Sequence, residues 1–414
     1  MNRSVTGVFL MLVSFEHCQE RDHLDPLAGC RDAFDLPPNQ IYLDGNSLGP
    51  MTHRARAQVQ QRLQEWQADL IAGWSHRQWI DYPQRLGAKL APLLGAKPHE
   101  VQVVDSTSLN LFKLACAAVL SARAREPARA RYRIVTEQGN FPTVPYMLEG
   151  LGRLATDIQV DVVPRETLCA AMTDETALLV LTHAHYVSGE VFDLKEMTSK
   201  AHAQGIQILW DLSHSTGVLP LNLTQANVDF AVGCGYKYLN GGPGAPAFLY
   251  VREDLQAASS SVLSGWLGHR EPFAFEDAYA PGEGLDRFRC GTPPVLAYAA
   301  LEGALEIFEG LNIDDLRKKS LALSELLIKL LEPALQKRAL TLVSPRDGAL
   351  RGGHVSFAHP DAQRIMAALA QDGVVGDYRP PHFLRFGLSP LYLRYVDIWA
   401  AAEKITRQVD AVAA

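Results

Sequence analysis

Between residues 101 and 251, seven short apolar runs follow one another with helical segments between most of them. They are Val101–Val104, Arg133–Thr136, Gln159–Val163, Ala177–Leu181, Ile206–Trp210, Val228–Gly233 and Ala247–Val251. A strand with one face in water alternates apolar and polar residues, and these Val-, Ile- and Leu-rich runs do not alternate cleanly. Both faces of the sheet they form are therefore covered, the mark of a mainly parallel sheet inside an α/β layer. Leu194 to His202 reads as a crossover helix stopped by Gly205.

After about Gly291 the texture changes. Val295–Phe308 and Ile313–Leu335 carry long helical patterns. Strand candidates follow at Leu340–Val343 and His354–Phe357, with helices at Ala362–Gln371 and from Val396 onward. This predicts a smaller α+β domain. The expected division is an arm over residues 1–45, a large α/β domain over 46–290 and a small C-terminal domain over 291–414. Before Asp44 the chain, with Pro26, Pro37 and Pro38, reads as irregular. Thr52 is placed to cap a long helix running to about Gly73.

A length of 414 residues accommodates two packed domains. With 47% hydrophobic and 21% charged residues, the composition is that of a soluble globular chain. The net charge of -7 offers no basic footprint for nucleic acid. Six cysteines without a C-x-x-C pair argue against zinc and against a disulfide framework, and suit a reducing cytoplasm. Val5–Phe15 is mostly apolar and follows Arg3, but it is too short to span a bilayer. Glu16, His17 and Cys18 follow it in place of a small-x-small cleavage site. An unstructured extension or an early start codon is expected there rather than export, and no membrane span.

Ligands of open α/β sheets sit at the carboxyl ends of the strands, and several chemically able residues fall there. Lys237 lies in G-C-G-Y-K-Y-L-N-G-G-P-G, just past the Val228–Val232 run and before the glycines at 241, 242 and 244. Asp211 ends the Ile206–Trp210 run, with His214 three residues on. A lysine and a carboxylate so placed suit pyridoxal phosphate (PLP). The lysine holds the aldehyde carbon as a Schiff base, and the carboxylate keeps the pyridine nitrogen protonated. Thr107 and Ser108 open a helix directly after a strand, where free N–H groups favour a phosphate, although Ser and Thr there are also ordinary caps. Phe141 in G-N-F-P-T could stack on a flat heterocycle or serve as packing. Thr182 could hydrogen-bond a cofactor. His183 and His185 form an H-x-H pair without a third ligand, so no metal is expected. Arg385, in H-F-L-R-F-G, could grip a carboxylate with two parallel bonds or be a surface residue.

Together these stretches resemble the kynureninase family of fold-type I PLP enzymes. The matching segments are Y-L-D-G-N-S-L-G at Tyr42–Gly49, D-S-T-S-L-N-L-F-K at Asp105–Lys113, N-F-P-T at Asn140–Thr143 and W-D-L-S-H at Trp210–His214. They continue with G-Y-K-Y-L-N-G-G-P-G at Gly235–Gly244, S-G-W-L-G-H at Ser264–His269, C-G-T-P-P at Cys290–Pro294, H-V-S-F-A-H-P at His354–Pro360 and G-D-Y-R at Gly376–Arg379. The resemblance covers the chain from about residue 24 onward. It implies a seven-stranded large domain and hydrolytic cleavage of L-kynurenine to anthranilate and L-alanine, within tryptophan breakdown or NAD biosynthesis. It further implies a cytoplasmic homodimer with the site at the subunit interface.

By the resemblance, Lys237 is the Schiff-base lysine and Asp211 the pyridinium partner. Phe141 matches the stacking residue, and Thr107, Ser108, Thr182, His214 and Tyr236 match cofactor contacts. Tyr236 is also a candidate proton relay. Trp266 and Thr292 match phosphate contacts that come from the neighbouring subunit. Arg385 matches the carboxylate clamp, Trp74 and Gly291 line the aryl pocket, and Asn46 contacts substrate. One departure stands out: Val144 occupies the position where the family commonly has aspartate. Bacterial-type motifs lean toward kynurenine over its 3-hydroxy form, again by resemblance. A cysteine desulfurase or aminotransferase of the same fold is the rival enzyme, with Cys290 the nearest nucleophile for a desulfurase. A non-catalytic PLP-binding protein is the rival class.

Overall fold

The computed structural model describes residues 14–125 and 131–413. The stretch Val5–Phe15 falls, up to residue 13, outside the described residues. The strands in chain order are β1 (Ile41–Tyr42), β2 (Val101–Val103), β3 (Arg133–Glu137), β4 (Gln159–Val163), β5 (Thr176–Thr182), β6 (Gln207–Asp211) and β7 (Phe230–Gly233). Then come β8 (Phe248–Val251), β9 (Thr341–Leu342), β10 (His354–Ala358), β11 (Val374–Val375), β12 (Asp377–Arg379) and β13 (Phe383–Gly387).

The seven predicted runs form one seven-stranded sheet, ordered β2-β8-β7-β6-β5-β3-β4. Only β8 runs against its neighbours, β2 and β7; the other pairings are parallel. Every residue of β5 and β6 is buried. Their side chains divide by the period of two: Leu179, Leu181, Ile208 and Trp210 enter one core, and Leu178, Val180 and Leu209 the other. That two-sided burial is why the runs lack alternation. The crossover helix Leu194–Ala203 starts on Asp193, whose side chain accepts from Glu196 N. It ends before Gly205, which takes a left-handed φ of 69°.

A second, four-stranded antiparallel sheet, β12-β13-β10-β9, belongs to the C-terminal region with the helices Ile313–Leu330, Ala362–Gln371 and Tyr395–Ala413. Strands β12 and β13, which carry Asp377, Arg379 and Arg385, were not anticipated, because Phe383–Gly387 is too short and mixed to give a clear period. The Ile313–Leu335 pattern breaks at Leu331, ahead of Pro333. The helix capped by Thr52, whose Oγ1 accepts from Ala55 N at 3.0 Å, runs only from His53 to Asp69. Leu70 then turns with a φ of 45°, ahead of short helical turns.

The segment before Asp44 is not irregular. Phe15–His23 is a helix that lies on the Tyr395–Ala413 helix, with Arg21 4.0 Å over the Tyr395 ring. The Asp22 carboxylate accepts from Tyr395 N at 2.6 Å and Val396 N at 3.0 Å, satisfying two free donors at the start of a helix some 370 residues away. Strand β1 pairs in parallel with β11. No described helix is long and apolar enough to cross a membrane.

Candidate active site

Strands β2, β3, β5, β6 and β7 point their carboxyl ends to one edge of the sheet, and the predicted residues gather there. Lys237 Nζ lies 2.9 Å from His214 Nε2. It also lies 5.9 Å from the ring centres of both Phe141 and Tyr236. Burial lowers the pKa of the Lys237 amine, opposed by Cys234 and Asp211. Burial, reinforced by Lys237 and Arg385, pushes His214 well below the ordinary histidine range, so its ring is neutral. A buried amine facing a neutral imidazole gives up its proton more readily than a lysine in water.

Lys237 reaches this position because its loop is sharply turned. Gly242 and Gly244 adopt φ values of 85° and 71°, and Asn240 one of 59°. Gly49 of the Tyr42–Gly49 segment packs on the same loop, its N–H donating to Tyr236 O at 2.7 Å. A Cβ on Gly49 would stand 2.3 Å from Lys237 O, so only glycine permits the approach.

Asp211 is buried at the end of β6, where Oδ1 accepts from Ser213 N at 2.8 Å. Thr182 Oγ1, at the end of β5, donates to Asn140 Oδ1 at 2.6 Å, and the same oxygen accepts from Phe141 N at 2.7 Å. Thr182 therefore sets the turn that presents Phe141, through an Asn140 to which sequence reasoning gave no role. Phe141 is in edge contact with Tyr186, ring centres 5.3 Å apart. Val144, in place of the expected aspartate, is fully buried in an apolar cluster with Leu148 and Leu151.

Thr107 begins the 19-residue helix Thr107–Arg125, and its Oγ1 is buried without a partner. Ser108 Oγ lies 3.2 Å from Thr143 Oγ1. His214 Nδ1 is likewise buried and unpartnered. Orphaned polar atoms of this kind cost stability unless a ligand satisfies them. With a helix N-terminus, a buried carboxylate, a low-pKa lysine and a ring beside it, they suit a flat anionic cofactor bearing an aldehyde.

Arg385, on β13, is only 1% exposed. It donates to Tyr186 O, to Ser47 Oγ at 2.8 Å and to Asp377 Oδ2, while its Nε has no partner. Two of its five N–H donors, the one on Nε among them, are left for a carboxylate ligand. Asp44 stands near this cluster, its pKa raised to about 6 by burial and by Asp377. Asn46 is fully buried with both amide atoms unpartnered, against Gly387, where a Cβ would come within 2.0 Å of Asn46 Oδ1. His354, to which sequence reasoning also gave no role, lies with its ring centre 5.4 Å from that of His214 and has both nitrogens unpartnered.

Trp74, Trp266 and Thr292 lie elsewhere. They line an apolar cavity of about 570 Å³ with Ile71, Ile80 and Phe273, and none of the residues around Lys237 belongs to it. Gly291 is exposed, next to Thr292. The surface around this cavity is markedly apolar: Ile71 is 81% exposed, Phe275 75%, Phe273 61% and Trp66 57%. His183 and His185 diverge, the first meeting Ser215 Oγ at 2.8 Å and the second Gly139 O at 2.9 Å.

The profile of the family described as "Kynureninase C-terminal domain" matches residues 316–405. A protein named kynureninase from Deinococcus radiodurans is 46% identical over 395 residues, covering 94% of this chain and 95% of that one. Another of that name, from Burkholderia mallei, is 44% identical over 392 residues, covering 94% of each. Among solved structures, a C-DES mutant with glycine covalently linked to its PLP cofactor superposes with a TM-score of 0.77 at 18% identity, over 89% of this chain and 97% of that one. The cysteine desulfurase CsdA of Escherichia coli does so with a TM-score of 0.77 at 20% identity, over 93% and 98%. Identities this low establish a shared fold, the fold-type I architecture with its mainly parallel sheet.

Proposed function

The chain belongs to the kynureninase family, and from that premise we propose that it is a PLP-dependent hydrolase cleaving L-kynurenine to anthranilate and L-alanine. The observation that carries this reading is the buried, low-pKa Lys237 held by a neutral His214 beside Asp211 and Phe141 at the strand ends. When bound, pyridoxal phosphate supplies an aldehyde carbon that captures amines and a pyridine ring that accepts electrons. Lys237 would carry it, Asp211 would keep its pyridine nitrogen protonated and Phe141 would stack on it. Thr107 and Ser108 take the phosphate at their helix N-terminus, and His214, Tyr236 and Thr182 complete the surround.

The remaining steps belong to the side chains. The Lys237 amine accepts and returns the proton of the substrate's α carbon, with His214 Nε2 fixing its orientation. Burial raises the pKa of the Tyr236 phenol, so it stays protonated and can donate to the substrate ketone. Arg385 binds the substrate carboxylate and Asn46 an adjacent polar group. Incubating the PLP-loaded protein with L-kynurenine and with its 3-hydroxy form should release anthranilate from the first faster than 3-hydroxyanthranilate from the second. Absence of turnover with either ends the reading.

The rival desulfurase needs a mobile cysteine. Cys290 Sγ instead donates to Leu263 O at 3.2 Å in a turn where Gly265 packs on the Cys290 backbone. That packing favours the hydrolase.

The reading extends to a homodimer in which Trp266 and Thr292 reach the partner's phosphate and Trp74 and Gly291 its aryl pocket. The apolar surface around their cavity supports it, since exposed patches of this kind mark interfaces. Sedimentation should give twice the 45.5 kDa chain mass. Phe273→Glu should yield monomers with turnover lowered about 100-fold or more, because each site loses its partner's contacts. A fully active monomer refutes the shared site. All six cysteines are free thiols, in keeping with a cytoplasmic location in tryptophan breakdown. The same reading divides the chain into an arm to residue 45, a cofactor domain to 290 and a small domain beyond.

A further inference from the structure

We propose that Arg379 is a second anion-binding residue of this site and takes the negative charge that cleavage creates. The inference rests on the hydrolase reading above. In that reaction water adds across the γ-ketone, and the bond between the β and γ carbons breaks with its electron pair going to the β carbon. The β carbon then takes a proton, while the γ carbon leaves as an aryl carboxylic acid that loses one. Substrate brings one carboxylate into the site, and the products leave with two. Arg385 answers the first; the second, and the oxyanion of the hydrated ketone before it, needs another cation.

The small sheet provides one. In the antiparallel pair β12 and β13, Asp377 lies directly opposite Arg385. Residues two apart share a face, so Asp377 and Arg379 stand on the same side as Arg385. One oxygen, Asp377 Oδ2, accepts from Arg379 Nε at 2.7 Å, from Ser47 Oγ at 3.1 Å and from Arg385 Nη2. The two guanidinium groups are thus joined through one carboxylate but differ in access. The Arg385 side chain is 1% exposed and that of Arg379 33%. The Nε bond to Asp377 orients the planar fork of Arg379 and leaves Nη1 without a partner among the described residues. A fork so oriented suits two parallel bonds to a carboxylate. Its charge also bears on the reacting groups, being among those that act on Tyr236, Lys237 and His214.

The two products separate the two arginines, because L-alanine carries only the carboxylate meant for Arg385 and anthranilate only the one meant for Arg379. Equilibrium binding to the PLP-loaded protein reads each: anthranilate by its fluorescence, L-alanine by calorimetry. Arg379→Gln should weaken anthranilate about 10-fold or more, as expected for a lost charge-assisted hydrogen bond, and leave L-alanine within about twofold. Arg385→Gln should do the reverse. Arg379→Lys, which keeps the charge, should lose anthranilate affinity to an intermediate degree and serves where the glutamine variant does not fold. Unchanged anthranilate binding in Arg379→Gln overturns the assignment. So does equal weakening of both products, the mark of a residue that merely holds Asp377 and through it Arg385. A parent protein that releases no anthranilate from kynurenine overturns the hydrolase reading and this inference with it; one that does, with equal weakening in the variant, overturns the inference alone.

Discussion

Lys237→Ala should lose turnover of kynurenine by about 10⁴-fold or more, together with the visible absorption of the lysine-bound cofactor. The size follows from two roles ending at once. On the proposed function, the variant lacks both the amine that captures the cofactor and the base for the α proton, the latter worth roughly 10²–10⁴-fold. No neighbour substitutes. His214, the group 2.9 Å from Nζ, is a weak base because burial lowers its proton affinity, and an imidazole forms no Schiff base. The fold should survive, because Lys237 Nζ has His214 as its only hydrogen-bond partner among the described residues and bears no ion pair. Near-parental turnover in the purified variant would show that another residue carries the chemistry.

Asp211→Asn should lower turnover by roughly 10²–10³-fold, the scale of losing one preorganised electrostatic stabiliser, while cofactor occupancy changes far less. Asparagine is a sharper test than alanine. Asp211 Oδ1 accepts from Ser213 N at 2.8 Å, a turn bond that an amide oxygen retains and a methyl group does not. The variant thus removes the charge proposed to keep the pyridine nitrogen protonated and keeps the local backbone. With alanine, a lost turn worth about 1 kcal/mol would blur the result. Parallel loss of occupancy and turnover in Asp211→Asn would mean that the carboxylate holds the cofactor in place rather than tuning it.

The large domain was legible because its evidence is local. A strand buried on both faces must be apolar at successive positions, and the seven runs joined one sheet, although β4 at its edge is only partly buried. Lys237, Asp211, His214, Thr107 and Phe141 were readable for a related reason: each follows a strand, and parallel strands deliver their carboxyl ends to a common edge. The small sheet was less readable. Arg385 was singled out from its motif, yet its strand was not, and nothing near it in sequence announces Ser47 or Tyr186 as its covers. The amino-terminal helix escaped for the same cause. Its key contact, Asp22 to the start of the last helix, joins residues that sequence holds apart by nearly the whole chain.

Sequence alone therefore determined the parallel sheet and which residues stand at its strand ends, because period, burial and strand polarity are properties of short segments; the cofactor was read from the motifs around Lys237 and Asp211. Tertiary structure decided what no segment contains. It set Lys237 against His214, joined Arg379 to Arg385 through Asp377, and placed Trp266 and Thr292 around a cavity apart from Lys237. Charge, access and proton affinity depend on which groups stand within a few ångströms in space, and folding sets those distances between residues remote along the chain.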